Sequence, residues 1–209
     1  MKYFLDFITE NERKKSTLNV FDIDDTLFRS KSSVLVKKDG KNVRELSTDE
    51  FNSYKLKPGE EYDFSQFSSS KQFNKSAIPI IKMIERAKRA ILKSEKNDRT
   101  IIITARADLD DKELFLQTFR DHGFPIDDVY VERSGNLDKI KKGVSTHIRK
   151  DVILRKYIVS GAYDRVRIWD DHELNLSFLS DICEKLGIEV QAFLVDPNTG
   201  NTTRYKNTK

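Results

Sequence analysis

The sequence predicts an α/β fold: an open, mainly parallel sheet of about five strands flanked by helices. Three observations carry that expectation. Five short apolar runs, mostly rich in valine and isoleucine, recur along the chain. Stretches with helical spacing separate several of them. Three of the runs stop at a polar group, Asp22, Thr104 or Asp170. Short continuous apolar runs suit strands buried on both faces, and their alternation with helices is the pattern of a parallel sheet.

The first run, Leu18 to Phe21, stops at Asp22. After it the alternation breaks, and residues 29–75 read as an insertion that folds beside the sheet. Val34 to Val36 and Val43 flank Asp39-Gly40, a hairpin signal. Ser47 and Glu50 have the spacing of a capping box, and Pro58-Gly59 and the serine-rich stretch Ser65 to Ser70 follow. A helix is expected over about Ser76 to Lys93, with Ile81, Ile84 and Ile91 on its inner face. Thr100 to Ile103 is the second strand, and Leu114, Phe115 and Phe119 mark a helix stopped near Gly123. Val129 to Val131 is the third strand, and Ile148, Val152, Leu154 and Ile158 give the next helix its apolar face. Val166 to Trp169 is the fourth strand. Leu174, Phe178, Ile182 and Leu186 form a helical stripe ahead of Gly187, and Gln191 to Val195 is the fifth strand. The polar tail after Pro197 is expected to fray. The chain, 1–209, reads as one domain carrying one insertion.

Composition excludes several functions. Lysine and arginine total 38 against 34 acidic residues, and a net charge of +4 is too small for a dedicated nucleic-acid binder. One cysteine and three histidines argue against an internal disulfide or a closed zinc site, and point to a reducing, cytoplasmic setting. The scattered glycines form no phosphate-cradling loop. No apolar stretch approaches the ~18 residues of a membrane span. Asp6 interrupts the apolar start Met1 to Ile8, which speaks against a secretory leader.

The chemistry concentrates at strand ends. Asp22-Ile23-Asp24-Asp25-Thr26-Leu27-Phe28 opens a buried run into three carboxylates within four positions. Like charges that close call for a cation or altered protonation. A solvated turn with a helix cap is the plainer alternative, and an EF-hand loop fails because its sixth position is Leu27. Trp169-Asp170-Asp171 and Ile103-Thr104-Ala105-Arg106 are weaker alone, since both also suit helix caps. In doubly wound sheets, ligands bind outside the carboxyl ends of the strands, where strand order reverses. If the first and fourth strands are neighbours, Asp22, Asp24, Asp170 and Asp171 converge on one crevice. Oxygen-only ligands of this kind suit Mg2+.

Asp22-x-Asp24-x-Thr26 after a strand, then a strand ending at Thr104, then a lysine, then a strand ending at Asp170-Asp171, resembles the haloacid dehalogenase (HAD) superfamily. The likeness covers about Leu18 to Val195 and is closest to phosphatase-type members, including small phage and bacterial hydrolases. It implies a Rossmann-like sheet ordered 3-2-1-4-5, with residues 29–75 as a small cap. It implies that Asp22 is the nucleophile and Asp24 the general acid and base. Thr104 would bind phosphoryl oxygens, and Asp22, Asp170, Asp171 and the carbonyl of Asp24 would hold Mg2+. Thr26 and Arg106 are assigned to substrate binding. Lys139, Lys141, Lys142, Lys150 and Lys156 all lie in the interval for the lysine. Lys150 is chosen because it opens an amphipathic run leading to the Asp170 strand.

The implied activity is a Mg2+-dependent phosphohydrolase acting on a phosphomonoester, either a phosphorylated small molecule such as a nucleotide or a nucleic-acid end. The alternatives are a phosphotransferase, a phospho-receiver-like module and a nucleic-acid-binding scaffold using the basic face Lys82, Arg86, Lys88, Arg89 and Lys93. A receiver has no acid two residues beyond its aspartate, which Asp24 supplies here.

Overall fold

The computed structural model describes residues 16–139 and 144–206. Six strands form the main sheet: β1 (Thr17–Phe21), β7 (Arg99–Thr104), β8 (Tyr130–Arg133), β9 (Arg165–Asp170), β10 (Glu189–Val195) and β11 (Thr202–Arg204). Their order is β11-β10-β9-β1-β7-β8. All neighbours run parallel except β11, which pairs antiparallel with β10. The sixth strand corrects the expectation of about five strands and a frayed tail. Phe193 to Val195 pair with Thr202 to Arg204, a turn around Asp196 reverses the chain, and Tyr205 packs on the core.

Strand alternation sends successive side chains to opposite faces. Phe21 and Ile102 enter a cluster on one face with Met83, Ile84 and Ala87 of α4 (Ile81–Leu92) and Phe115 and Phe119 of α5 (Lys112–Asp121). Leu18, Val20, Ile101 and Ile103 pack on the other face. Their partners are Ile153, Leu154 and Ile158 of α6 (Thr146–Ile158) and Leu176, Leu179, Ile182 and Cys183 of α7 (Glu173–Lys185). The helices are placed as the spacing predicts, but three apolar faces are rotated. Ile81, Ile148, Val152, Leu174, Phe178 and Leu186 are exposed, while Met83, Lys150 and Leu176 are buried. Each rotation follows the residue that must reach the sheet. In α6 that residue is charged, so no hydrophobic pattern marks it. The helix expected over about Ser76 to Lys93 is shorter: Ser76 closes α3 (Ser70–Ser76), β6 (Ile78–Pro79) follows, and α4 begins only at Ile81.

The insertion is rooted by a two-stranded ribbon, β2 (Phe28–Arg29) against β6. Beyond the root, β3 (Val34–Lys38) pairs with β4 (Lys41–Leu46) and β5 (Glu60–Asp63) in a three-stranded sheet. The hairpin turn sits at Asp39-Gly40, where both residues have positive φ. Ser47 and Glu50 form the predicted capping box of α1 (Thr48–Ser53). Val34, Val36 and Leu46 make a small core of their own, backed by Phe51, Tyr54, Tyr62 and Phe67. After α2 (Ser65–Ser68), the insertion meets the loop beyond β7, where the Asp110 backbone N–H donates to the Ser68 carbonyl at 3.0 Å.

Candidate functional site

β1 lies between β7 and β9, so their carboxyl ends place Asp22, Thr104 and Asp170 side by side. The loop after β1 is held by its apolar residues. Ile23, Leu27 and Phe28 are fully buried, and the Ile23 carbonyl accepts from the N–H groups of Leu27 and Phe28, both at 2.9 Å. Asp25 takes the left-handed conformation (φ 57°), one that aspartate tolerates better than most residues. This tight return keeps Ile23 in the core and leaves the carboxylates at the carboxyl end of β1.

Asp22, Asp170 and Asp171 each offer an oxygen within 4.8 Å of the others. The buried Lys150 ammonium stands among them, 2.7 Å from Asp170 Oδ2 and 3.0 Å from Asp22 Oδ1. The other Asp170 oxygen accepts from the His172 backbone N–H at 3.0 Å and from Asn175 Nδ2 at 2.9 Å. Asp22 Oδ1 is buried, and its polar partner among the described residues is the Lys150 ammonium. Burial pushes the Asp22 carboxyl up to about 7 against the pull of Lys150, with Asp170 and Asp24 adding to the rise. Burial, Asp170 and Asp22 likewise hold Asp171 well above the usual carboxylate range. Burial alone would lower Lys150, but Asp170 and Asp22 outweigh it and keep the ammonium charged.

Three carboxylates against one ammonium leave excess negative charge in a buried place. The donors are all hard carboxylate oxygens, close enough together to share one ion. These residues fit a metal ion that prefers oxygen ligands. The cluster can hold such an ion; the donor set alone does not name the metal.

The remaining assigned residues surround this group. Thr26 is fully buried, and its hydroxyl donates to Asp171 Oδ1 at 3.4 Å, so it supports a carboxylate. Thr104 is fully buried; its hydroxyl accepts from the Arg106 backbone N–H at 3.1 Å, and its carbonyl accepts from the Ser134 hydroxyl at 2.8 Å. The Asp24 carboxylate stands apart from the three-carboxylate cluster and is gripped by Arg106, at 2.6 Å to Oδ1 and 2.9 Å to Oδ2. Arg106 therefore reaches an acidic side chain in this structure. Of the other candidate lysines, Lys156 is exposed and pairs with Glu132. Lys141, Lys142 and the Lys139 side chain lie outside the described residues.

Sequence reasoning missed Asn175, Ser30, Ser134 and Gly135. Asn175 had a usable signal: it lies five residues after Asp170, in the first turn of the helix that follows. Ser30 lies only six residues after Asp24, but its contact with Arg106 is set by the fold, and Ser134 and Gly135 reach the carbonyls of Thr104 and Arg106 from a distant segment. Among the described residues, no helix is long and apolar enough to cross a membrane. The sequence matches no protein-family model and no curated protein.

Proposed function

We propose that this chain is a Mg2+-dependent phosphohydrolase of the HAD type that transfers a phosphoryl group to Asp22 and then to water. One observation carries the reading: a buried aspartate at a strand end, 3.0 Å from a buried lysine and clustered with Asp170 and Asp171, has a second acid two residues on. The parallel run β10-β9-β1-β7-β8, with Asp22 at the end of its central strand, supports the same reading.

Asp22, Asp170 and Asp171 would hold the ion. Bound there, Mg2+ offsets the repulsion between an anionic nucleophile and an anionic phosphate. An Asp22 carboxylate oxygen attacks phosphorus, and the bond from phosphorus to the ester oxygen breaks. Asp24 gives that departing oxygen its proton. Water then attacks the phosphorus, Asp24 takes one of its protons, and the bond to Asp22 breaks to release phosphate. Splitting hydrolysis in this way exchanges one difficult step for two easier ones. Lys150 stays charged throughout and holds Asp22 and Asp170 in register. Thr104, at the carboxyl end of β7 beside Asp22, carries a hydroxyl that suits a phosphoryl oxygen.

The substrate class we favour is a phosphomonoester, either a nucleotide or a nucleic-acid end. The test is a screen with Mg2+ over an aryl phosphate, mononucleotides, 3′- and 5′-phosphorylated oligonucleotides and sugar phosphates. Phosphate release that Asp22→Asn abolishes in a folded protein is expected. Release within about tenfold of the unmodified rate in Asp22→Asn would remove the nucleophile.

A further inference from the structure

Arg106 is the largest fully buried side chain among the described residues, and its charge is spent inside the protein. A guanidinium has five N–H donors in a fixed plane. Here Nε donates to Asp24 Oδ2 at 2.9 Å, Nη1 to the Phe67 carbonyl at 2.9 Å, and Nη2 to Asp24 Oδ1 at 2.6 Å and Ser30 Oγ at 3.1 Å. The guanidinium lies over the rings of Phe67 and Phe73, 5.2 and 4.6 Å from their centroids. Ser30, Phe67 and Phe73 all belong to the insertion. Arg106 therefore ties the insertion to the acid of the strand-end motif.

The hydrogen bonds treat the two Asp24 oxygens differently. A carboxylate oxygen has about two acceptor positions. Oδ1 accepts from Arg106 Nη2 and, at 2.9 Å, from the Ser30 hydroxyl, so it is saturated. Among the described residues Oδ2 accepts from Arg106 Nε alone, which leaves its second acceptor position for a ligand. The Asp24 side chain is 17% exposed, while that of Arg106 is 0% exposed. The acid can meet a ligand, and the residue that orients it cannot.

We propose that Arg106 and Ser30 are positioning residues that fix the orientation of the Asp24 carboxylate, with Oδ2 the oxygen presented to the leaving group, and that the insertion is their scaffold. The proposal rests on the phosphohydrolase reading. Oδ2–H gives its proton to the departing ester oxygen as the bond to phosphorus breaks. Oδ2 then takes one proton from the water that attacks the phosphorylated Asp22. A cover unseated at Phe67 would release Nη1 and let the guanidinium turn, so Asp24 is aimed only while the insertion is in place.

The test compares p-nitrophenyl phosphate, whose leaving group needs little protonation, with phenyl phosphate, whose leaving group needs it. General acid catalysis contributes on the order of 10²–10⁴. Arg106→Gln is expected to lower kcat on phenyl phosphate by about 10²-fold and on p-nitrophenyl phosphate by less than about tenfold, with KM little changed. Ser30→Ala, a half-buried change that spares the core, is expected to show the same selectivity at about tenfold. Equal losses on both substrates, or a raised KM with kcat retained, would overturn the positioning role; the second result would instead place Arg106 on the substrate phosphate. If the unmodified protein hydrolyses neither ester, the phosphohydrolase reading falls on its own. The clamp is then read without turnover, from hydrogen exchange at Arg106 Nε–H by NMR. Protection that drops at least about tenfold in Asp24→Ala is expected. Exchange of this proton at the solvent rate in the unmodified protein would refute the clamp.

Discussion

Lys150→Met removes the buried ammonium that pairs with Asp22 and Asp170 while keeping a side chain of similar length. The lysine lies 2.7 Å from Asp170 and 3.0 Å from Asp22, and all three side chains are less than 10% exposed. At an effective dielectric constant of about 20, each contact is worth roughly 5–6 kcal/mol of gross attraction. Most of that gross figure offsets the cost of burying the charges, and breaking a buried pair by removing one partner typically costs about 3–5 kcal/mol. The expected loss of unfolding free energy in chelator is therefore about 3–5 kcal/mol near pH 8. The loss should shrink toward about pH 5, because Asp22 and Asp171 can then relieve their repulsion by taking protons. Urea unfolding at both pH values, with and without Mg2+, measures it. Mg2+ at about 100 times its dissociation constant should return about 2.7 kcal/mol. A loss below about 1 kcal/mol near pH 8, or one that does not change with pH, would refute the reasoning.

Asp22 pushed up to about 7 means that the folded protein binds this proton more tightly than the unfolded chain. In chelator, stability should therefore fall as pH rises from about 4 through 7, and saturating Mg2+ should abolish that slope. Calorimetry at about pH 6 should show at least about one proton released per metal bound, from Asp22 and Asp171, with affinity falling as pH drops below 7; no release would remove both from the ligand set. Asp170→Ala should weaken metal binding more than Asp171→Ala, because it also strands Lys150, Asn175 and the His172 N–H; the reverse order, by titration calorimetry, would reassign the main ligand. In Gly135→Ala the new Cβ would lie 2.5 Å from the Ala105 carbonyl oxygen and 2.6 Å from the Ala107 nitrogen, so thermal unfolding should show a loss of about 1–3 kcal/mol. A neutral result there would mean that the turn beside Arg106 gives way freely.

The sheet and its chemical edge were legible because short apolar runs end in polar residues. The Leu18–Phe21 run stops at Asp22, Arg99–Thr104 ends at Thr104, and Arg165–Asp170 ends at Asp170; parallel pairing then brings those ends together. The turn at Asp39-Gly40 and the capping box at Ser47 were legible because both are local. Lys150 could be favoured among five lysines but not singled out, since its burial depends on where α6 meets the sheet. For the same reason the inner faces of α6 and α7 were misjudged: Ile148 and Phe178 suit the pattern, yet the sheet takes Lys150 and Leu176. β11 was invisible because Thr202–Arg204 is polar, and its order comes from backbone pairing with β10 rather than from apolar burial. The Arg106 clamp joins residues 82 positions apart, which no local spacing announces.

The proposed reaction requires a covalent bond between phosphorus and an Asp22 carboxylate oxygen. The direct measurement is to quench the protein during turnover of its best phosphomonoester in Mg2+, reduce acyl phosphates with borohydride, and map the modified peptide by mass spectrometry. Reduction confined to Asp22, absent in chelator, is the result expected. Sustained turnover with no modified residue, or modification at another carboxylate such as Asp24 or Asp170, would contradict the proposed mechanism.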